Sequence, residues 1–224
     1  MNIRITLFIG FIFLISTRLV IAQEPNNNLP RYGNVKKNQK YIDADNKFID
    51  EVIKQFGSRR EAAKNSVGYG WDYFQRGDIT NAMKRFNQAW LLDSTLNDNY
   101  WGFGAIMGQR KQFDQSIIFL KRYYDSNPDN EKIMTDLSTS YLDYAVILKG
   151  KGLIREWADC TNEGKLLLMK TLAINNKNAK AYSLLALTYL NENKLDSSKY
   201  YGRIANKLDP KVLSPSNRKA LGIE

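Results

Sequence analysis

The sequence predicts an all-α protein in which about four similar helical hairpins stack into an α-solenoid behind an N-terminal amphipathic helix. Three observations predict this fold. The chain resembles itself at an offset of 34 residues, apolar residues recur at helical spacing inside each unit, and a short polar turn divides each unit into two helices. One such unit cannot bury its apolar face alone, so successive units have to stack.

The composition excludes several classes of catalytic and metal site. The chain has 224 residues and a formal net charge of +10, with no histidine and one cysteine. Without an imidazole there is no Ser-His-Asp or Cys-His catalytic unit and no histidine-ligated zinc, and one thiol cannot close an intrachain disulfide. We therefore predict a protein that is not an enzyme and has no catalytic residue, metal or cofactor. The enzymatic alternative is a pair of carboxylates from Asp136, Asp143 and Glu156, although nothing in the sequence places two of them around a pocket.

Residues 1–22 have the pattern of a cleaved signal peptide. Arg4 precedes an apolar run from Ile5 to Ile15, and the segment ends at Ala22, the expected cleavage site. The run is shorter than the roughly 20 residues that a membrane-spanning helix needs, which favours cleavage over an uncleaved anchor. We expect an exported protein of a bacterial cell envelope, periplasmic rather than secreted. Export argues against a nucleic-acid partner. The basic charge then suggests anionic envelope surfaces or acidic proteins as partners.

Two segments precede the repeats. Residues 23–40 are predicted to be a flexible leader, because they are rich in Asn, Pro, Lys and Gln and lack apolar periodicity. Residues 41–57 are predicted to form an amphipathic helix that ends at Gly57. Its apolar residues are Ile42, Phe48, Ile49, Val52, Ile53 and Phe56. Such a helix needs a groove or a neighbouring helix to cover its apolar face.

Residues 58–212 are predicted to form the solenoid. Ser58, followed by Glu61, has the pattern of a capping box and marks the start of the first helix. Landmarks that recur every 34 residues include Gly70 and Gly104, Tyr73 and Met107, Ala82 and Ser116, and Phe86 and Leu120. The units span about residues 63–96, 97–130, 131–178 and 179–212. Residues 213–224 are predicted to be a closing segment, since the last unit of a solenoid needs a cover.

The third unit is longer than the others. Its landmark Ser138 precedes the matching Ala186 by 48 residues, which is 14 more than the period. The apolar rhythm continues up to the break at residues 150–152 and resumes after it. The insertion predicts a hairpin whose two helices are each longer by about two turns, or roughly 10 Å. This elongated hairpin either packs on its neighbours or forms a docking projection.

The order of small, aromatic and proline positions in these units resembles the tetratricopeptide repeat, over roughly residues 63–212. The resemblance is to exported bacterial proteins of that family. It implies a right-handed α-solenoid in which the first helix of each hairpin lines a concave groove, and this groove receives a peptide or helix of a partner protein. The implied groove residues are Lys64, Val67, Trp71, Phe74, Gln75, Asp98, Trp101, Ala105, Gln109, Lys132, Thr139, Leu142, Lys180, Leu187 and Asn191.

The aromatic residues of this implied groove suggest a binding function. Trp71, Phe74 and Trp101 are of the types that carry much of the energy in protein interfaces, which predicts a non-catalytic interaction scaffold or adaptor with a protein or peptide partner. Aromatic residues at helical spacing can equally be core, and the helix at residues 41–57 can fold over the two tryptophans. The chain is then a structural or assembly module with a self-filled groove, which associates through the elongated hairpin or the solenoid ends. The oligomeric state stays open.

Two narrower predictions concern individual residues. The carboxylate clamp of chaperone adaptors is not expected, because Val67, Trp71, Gly102 and Asp136 occupy the places of its asparagines and lysines. Cys160 is predicted to be a buried, inert thiol, because no cationic partner is evident that would lower its pKa. Pairing of this thiol between two chains is the alternative.

Overall fold

The structure, a computed structural model of the chain, describes residues 24–223. The predicted signal peptide lies outside the described residues. Within residues 24–223 all regular elements are helical, and no helix there is both long enough and apolar enough to cross a membrane.

Ten α-helices in the described part of the chain form a row of hairpins. Their bounds are α1 Gln39–Phe56, α2 Arg59–Gln75, α3 Ile79–Leu92, α4 Asp98–Gln109, α5 Phe113–Ser126, α6 Glu131–Gly150, α7 Ile154–Ile174, α8 Ala179–Asn191, α9 Leu195–Leu208 and α10 Pro215–Leu221. The hairpins are α2–α3, α4–α5, α6–α7 and α8–α9, and the second helix of each packs against the first helix of the next. This stacking is that of an α-solenoid.

Side-chain caps start several of these helices where the sequence indicates. The Ser58 hydroxyl accepts a hydrogen bond from the Glu61 amide at 3.1 Å, and Asn130 and Asn178 cap α6 and α8 in the same way. Each cap stabilises its helix by about 1 kcal/mol. The reciprocal half of the capping box is missing, because the Glu61 carboxylate pairs with Lys64 at 2.8 Å instead.

Both ends of the solenoid are covered. Helix α1 packs along α2, and its apolar side joins the core of the first hairpin through Phe48, Ile49, Val52 and Phe56. At the other end, α10 brings Leu221 and the following Ile223 onto Ala186 and Ala205 of the last hairpin. The two terminal segments therefore bury the faces that a neighbouring hairpin would otherwise bury.

Phe86 of α3 fills the space between the first two hairpins. Its side chain is fully buried and lies against α2 and α4 at two glycines. A Cβ atom would come within 2.7 Å of the Phe86 ring at Gly70 and within 2.3 Å at Gly102. Small residues therefore occur at these repeat positions because the ring leaves no room for a side chain.

The hairpin α6–α7 is longer than its neighbours. Helices α6 and α7 have 20 and 21 residues, whereas α4 has 12 and α5 has 14. The Lys149 ammonium donates a hydrogen bond to the carbonyl oxygen of Asn191, the last residue of α8, at 2.7 Å. The turn at residues 150–153 is thus positioned past the end of α8.

Part of the leader is docked on α3, whereas the sequence predicted a flexible segment. The Asn87 side chain is fully buried, and its amide group donates to the carbonyl oxygens of Asn27 at 3.1 Å and Leu29 at 2.9 Å. Its amide oxygen accepts from the backbone N–H of Tyr32 at 3.4 Å, and the Tyr32 ring is buried. The flexible-leader prediction is wrong for residues 26–34, because one buried tyrosine and one buried asparagine hold this segment without any apolar periodicity.

We expect Asn87→Ala to release the leader while the solenoid stays folded. The substitution leaves the buried backbone N–H of Tyr32 without a partner, at a cost of about 1–3 kcal/mol, and also removes the donor to the carbonyl oxygens of Asn27 and Leu29. Arg31 and Tyr32 also have positive φ angles of 54° and 56°, which L-residues rarely adopt. Trypsin should cleave after Arg31 at least about tenfold faster in the variant. Gln88→Ala, one residue further along α3, is the matched control; equal cleavage rates in wild type and Asn87→Ala would show that other contacts hold the leader.

Candidate functional site

An open groove crosses the first helices of successive hairpins. The open space over its lining is about 770 Å³, part of it continuous with solvent. Its lining residues are Trp71 and Phe74 of α2, Gly104, Ala105, Gly108 and Gln109 of α4, Phe113, Ser116 and Leu120 of α5, Asp136, Thr139, Ser140 and Asp143 of α6, and Lys180 of α8. Helix α5 reaches the floor because the two glycines leave part of α4 without side chains.

Four aromatic rings pack together at one side of the groove, where Trp71 and Phe74 line it and Trp101 and Tyr123 lie behind them; we call these four rings the aromatic wall. Trp71 meets Phe74 and Trp101 edge to face, with ring centroids 5.6 and 5.3 Å apart, and Trp101 lies 5.1 Å from Tyr123. Such pairs contribute about 0.5–1.5 kcal/mol each beyond the area they bury. Both tryptophans are half-buried, so they pack into the hairpins, and Trp71 also lines the groove. Their role as a binding surface stays a prediction.

A polar link joins three hairpins across the groove. The indole N–H of Trp101 donates to Asp136 Oδ2 at 3.0 Å, and Lys180 Nζ lies 3.6 Å from Asp136 Oδ1. These residues come from α4, α6 and α8. Both oxygens of Asp136 therefore contact residues of the neighbouring hairpins. The exposed contact with Lys180 contributes under about 1 kcal/mol.

Asp143 is the second carboxylate on the same lining. The structure thus brings Asp136 and Asp143 to one groove, which the sequence did not indicate, while Glu156 lies on the elongated hairpin. Desolvation raises the pKa of Asp143 above its usual value, and the charge of Lys180 opposes this. In residues 24–223 no three acidic or thiol side chains are grouped to hold a metal ion.

Two serine hydroxyls close the floor of the groove. Ser116 Oγ donates to the carbonyl oxygen of Gly104 at 2.7 Å and lies 2.9 Å from Ser140 Oγ. Ser140 in turn lies within hydrogen-bond distance of the Asp136 carbonyl, at 3.3 Å. The floor hydroxyls are therefore satisfied within the protein.

The predicted groove residues divide into four sets. Those on the lining are Trp71, Phe74, Ala105, Gln109, Thr139 and Lys180, with Trp101 directly behind them. Leu142 and Asn191 line a second, smaller cavity, and Val67 and Leu187 pack in the cores of the first and last hairpins. Outside both cavities lie Lys64, Gln75, Asp98 and Lys132. The sequence missed the contribution of α5, since resemblance to the repeat assigns the groove to first helices alone.

Helix α1 does not enter the groove. The lining residues come from α2, α4, α5, α6 and α8, whereas α1 packs on α2 at the end of the solenoid. The alternative in which residues 41–57 cover Trp71 and Trp101 is therefore not the arrangement found. On the apolar side of α1, Phe48, Ile49, Val52 and Phe56 pack against the core of the first hairpin and not over the groove.

A second cavity of about 430 Å³ lies between the elongated hairpin and α8. It is lined by Leu142, Ala145, Val146, Lys149, Trp157, Thr161, Thr188, Asn191 and Glu192. Glu192 forms its polar edge, with Lys165 Nζ at 2.6 Å and Lys194 Nζ at 3.0 Å. The Lys165 side chain comes from α7, so this ion pair ties the elongated hairpin to the last one.

This ion pair predicts an acid-sensitive contribution to stability. Desolvation by itself would raise the pKa of Glu192, but Lys165 and Lys194 outweigh it and hold this pKa below its usual value. A carboxylate with a lowered pKa stabilises the fold above its unfolded pKa, near about 4.3, and loses this contribution as the pH falls further. We expect Glu192→Gln to lower the free energy of unfolding by about 1–3 kcal/mol at neutral pH.

Urea denaturation at neutral pH and at about pH 3 tests this, because protonation removes the difference between the variant and wild type at the lower pH. Glu156→Gln, at an exposed position on the elongated hairpin, is the control and should leave stability unchanged. A Glu192→Gln deficit that persists undiminished in acid would contradict the assignment to charge.

Cys160 lies on α7 and is only partly buried, whereas the sequence predicted a buried thiol. Burial raises the pKa of its thiol, and the carboxylates of Asp159 and Glu163 raise it further. A raised pKa lowers the thiolate fraction at neutral pH, which is the form that reacts. This environment supports the prediction of an inert thiol.

Comparison with known proteins supports the fold but finds no relative by sequence. No protein-family model matches the chain, and no curated protein matches it in sequence. The structure of TTC0263, a TPR protein of Thermus thermophilus, is similar with a TM-score of 0.56 and 16% identity over 71% of this chain and 79% of that one. MamA is similar with a TM-score of 0.54 and 18% identity, over 73% and 85% of the two chains.

YrrB, described as a TPR protein with an unusual peptide-binding site, is similar with a TM-score of 0.53 and 14% identity, over 72% and 75% of the two chains. At such identities the likeness concerns the fold alone. Together with the stacked hairpins and the absence of strands in residues 24–223, it shows that the chain is an all-α solenoid with a tetratricopeptide-repeat-like fold.

Proposed function

We propose that the protein is a non-catalytic interaction scaffold that binds a peptide or helix of a partner protein in the groove beside Trp71 and Trp101. The observation that carries the proposal is the aromatic wall. Trp71 lines the open groove and is held from behind by Phe86 and Trp101, and Trp101 in turn packs against Tyr123. A partner that packs on rings already held in place loses little side-chain entropy in the interface, which favours affinity.

The remaining groove residues suit a peptide main chain. Gln109 is exposed and Thr139 is half-buried, and both lie on the lining where they can exchange hydrogen bonds with peptide groups. Ala105 and the adjacent glycines leave depth for an apolar side chain of the partner. The likeness to YrrB, whose description includes a peptide-binding site, supports the proposal by analogy.

Photo-crosslinking in cells tests this proposal. A photoreactive residue replaces Gln109 on the groove lining, and Gln115, exposed on α5 outside the lining, receives the same residue as the matched control. We expect one protein to be captured from position 109 and not from position 115. Equal capture from both positions, or no capture from position 109, would contradict groove binding.

We further propose that the protein works in a bacterial cell envelope, in the periplasm rather than outside the cell. The signal-peptide pattern of residues 1–22 and the net charge of +10 support this location. Mass spectrometry of the N-terminus of protein purified from the source cells should find chains that begin at Gln23. Chains that keep residues 1–22 and remain in the cytoplasm would contradict it.

The alternative function is an assembly module that associates through the elongated hairpin. Large apolar side chains on the outer side of α7 favour it, since Leu166, Met169 and Ile174 are each about half exposed. Sedimentation velocity over a range of protein concentrations separates the two functions. A monomer at all concentrations would exclude self-association as the main role.

A further inference from the structure

The turn of the elongated hairpin carries an unusual concentration of exposed aliphatic side chains. We call residues 146–155 the hairpin tip. Within it Val146 is 56% exposed, Ile147 36%, Leu153 41% and Ile154 56%. Val146 also lines the second cavity, but four such exposed side chains on ten residues indicate a contact with something outside the chain.

The same ten residues carry three cations and no acid. Lys149, Lys151 and Arg155 are all exposed, and Glu156 directly follows the tip. Lys149 is held in place, because its ammonium donates to the Asn191 carbonyl and lies 4.9 Å from the centre of the Trp157 ring. Among the described residues, Lys151 and Arg155 form no ion pair.

The backbone of the tip is fixed. The Leu153 amide donates to the Leu148 carbonyl at 3.0 Å, and the Leu148 side chain is buried. Gly152 has a φ angle of 74°, a left-handed conformation that lets the chain reverse direction here. The exposed side chains are therefore presented on a closed, convex turn past the end of α8, and not on a loose loop.

We propose that the hairpin tip docks on the surface of an anionic lipid bilayer. Its aliphatic side chains would enter the boundary between headgroups and acyl chains, while Lys151 and Arg155 pair with lipid phosphates. Charge complementarity favours this occupant, since the tip has no carboxylate that lipid phosphates would repel. The convex shape also suits a bilayer, which yields to small insertions, better than a protein groove. This inference does not depend on the groove function.

A fluorophore attached at the tip tests the proposal in the full chain. In a Cys160→Ala background, Ile154→Cys is labelled with an environment-sensitive dye, and Leu166→Cys, exposed to a similar extent on α7, carries the same dye as the control. The local label is needed because the apolar run at residues 5–15 can itself bind lipid. Vesicles of equal parts phosphatidylglycerol and phosphatidylcholine should shift the emission of the tip label to the blue. Phosphatidylcholine vesicles should leave it unchanged.

Charge reversal supplies the second arm of the test. Each cation near an anionic surface strengthens binding about fivefold, so Lys151→Glu with Arg155→Glu should weaken the vesicle response of the tip label by about 30-fold or more. Lys199→Glu with Arg203→Glu, two exposed cations of α9, is matched in net charge and should change it little.

Three results would overturn the proposal. The first is an equal blue shift of the labels at positions 154 and 166, and the second is an equal shift with both kinds of vesicle. The third is a shift of the tip label that appears without lipid as the protein concentration rises, which would assign the tip to a contact between two copies of the chain.

Discussion

Phe86→Ala is expected to lower the free energy of unfolding by about 3–5 kcal/mol, the range for a fully buried phenylalanine replaced by alanine. The Phe86 ring lies between two hairpins, with its centroid 5.3 Å from that of Trp71 and 6.4 Å from that of Phe103. Gly70 and Gly102 cannot fill the space that the ring vacates, because neither has a side chain. The cavity should therefore persist and cost the full amount.

Chemical denaturation followed by circular dichroism measures this loss. Phe113→Ala is the matched control, because Phe113 is half-buried on the rim of the groove and should cost less than half as much. Equal losses from the two substitutions would show that the contact between the first two hairpins has no special weight in the fold.

The opposite change at Gly102 gives a reciprocal test. A Cβ at Gly102 would stand 2.3 Å from the Phe86 ring, so Gly102→Ala should destabilise by about 1–3 kcal/mol through overpacking. Phe86→Leu in the same chain should recover part of this loss, since the smaller side chain leaves room for the new methyl group. Strictly additive losses would show that Gly102 does not serve to admit the ring.

This close contact between Phe86 and two glycines explains why the repeat was readable from the sequence. The crossing of hairpin helices imposes the same demand in every unit, namely small residues on one helix and a large one opposite. Gly70 and Gly104, or Phe86 and Leu120, are therefore spaced at the period of 34 residues. Because these small and large residues recur at a fixed spacing, the sequence predicts the fold without knowledge of any long-range contact.

The docked leader shows what such a pattern cannot predict. Asn87 is one polar residue on an amphipathic helix, and its partners are backbone groups 55 to 60 residues earlier in the chain. No periodicity marks either side of this contact. Composition alone therefore favoured a flexible segment, and the buried ring of Tyr32 was missed for the same reason.

The groove is intermediate between the repeat, which the sequence predicts, and the docked leader, which it does not predict. The structure places Trp71 and Phe74 on its lining, as the sequence predicted, but puts Trp101 behind them, and the Asp136 link depends on how three hairpins are set relative to one another. The opening of the floor to α5 depends on Gly104 and Gly108, whose missing side chains leave no signal in an apolar pattern. The sequence therefore identifies the first helices, but not which of their side chains line the groove or meet across it.

Trp101→Ala is expected to weaken partner binding in the groove by about 30-fold or more, which corresponds to at least about 2 kcal/mol. The Trp101 ring supports Trp71 from behind, with centroids 5.3 Å apart, and its N–H holds Asp136 at 3.0 Å. Removal of the indole therefore takes away the support of the aromatic wall and the link to the third hairpin together.

Two further variants separate these contributions. Trp101→Phe keeps a ring beside Trp71 but cannot donate to Asp136, so it should fall between wild type and Trp101→Ala. Asp136→Asn keeps an acceptor for the indole and loses only the charge that faces Lys180, so it should cost little. A variant Trp101→Phe as weak as Trp101→Ala would assign the effect to the hydrogen bond and not to the ring.

Trp157→Ala is the control for the loss of a tryptophan as such, because Trp157 lines the second cavity and not the groove. The measurement is the dissociation constant of the partner captured at position 109, with helicity checked in each variant. Full affinity in a helical Trp101→Ala chain would exclude the aromatic wall as the binding surface. Equal losses from Trp157→Ala and Trp101→Ala would show that the groove does not carry the binding alone.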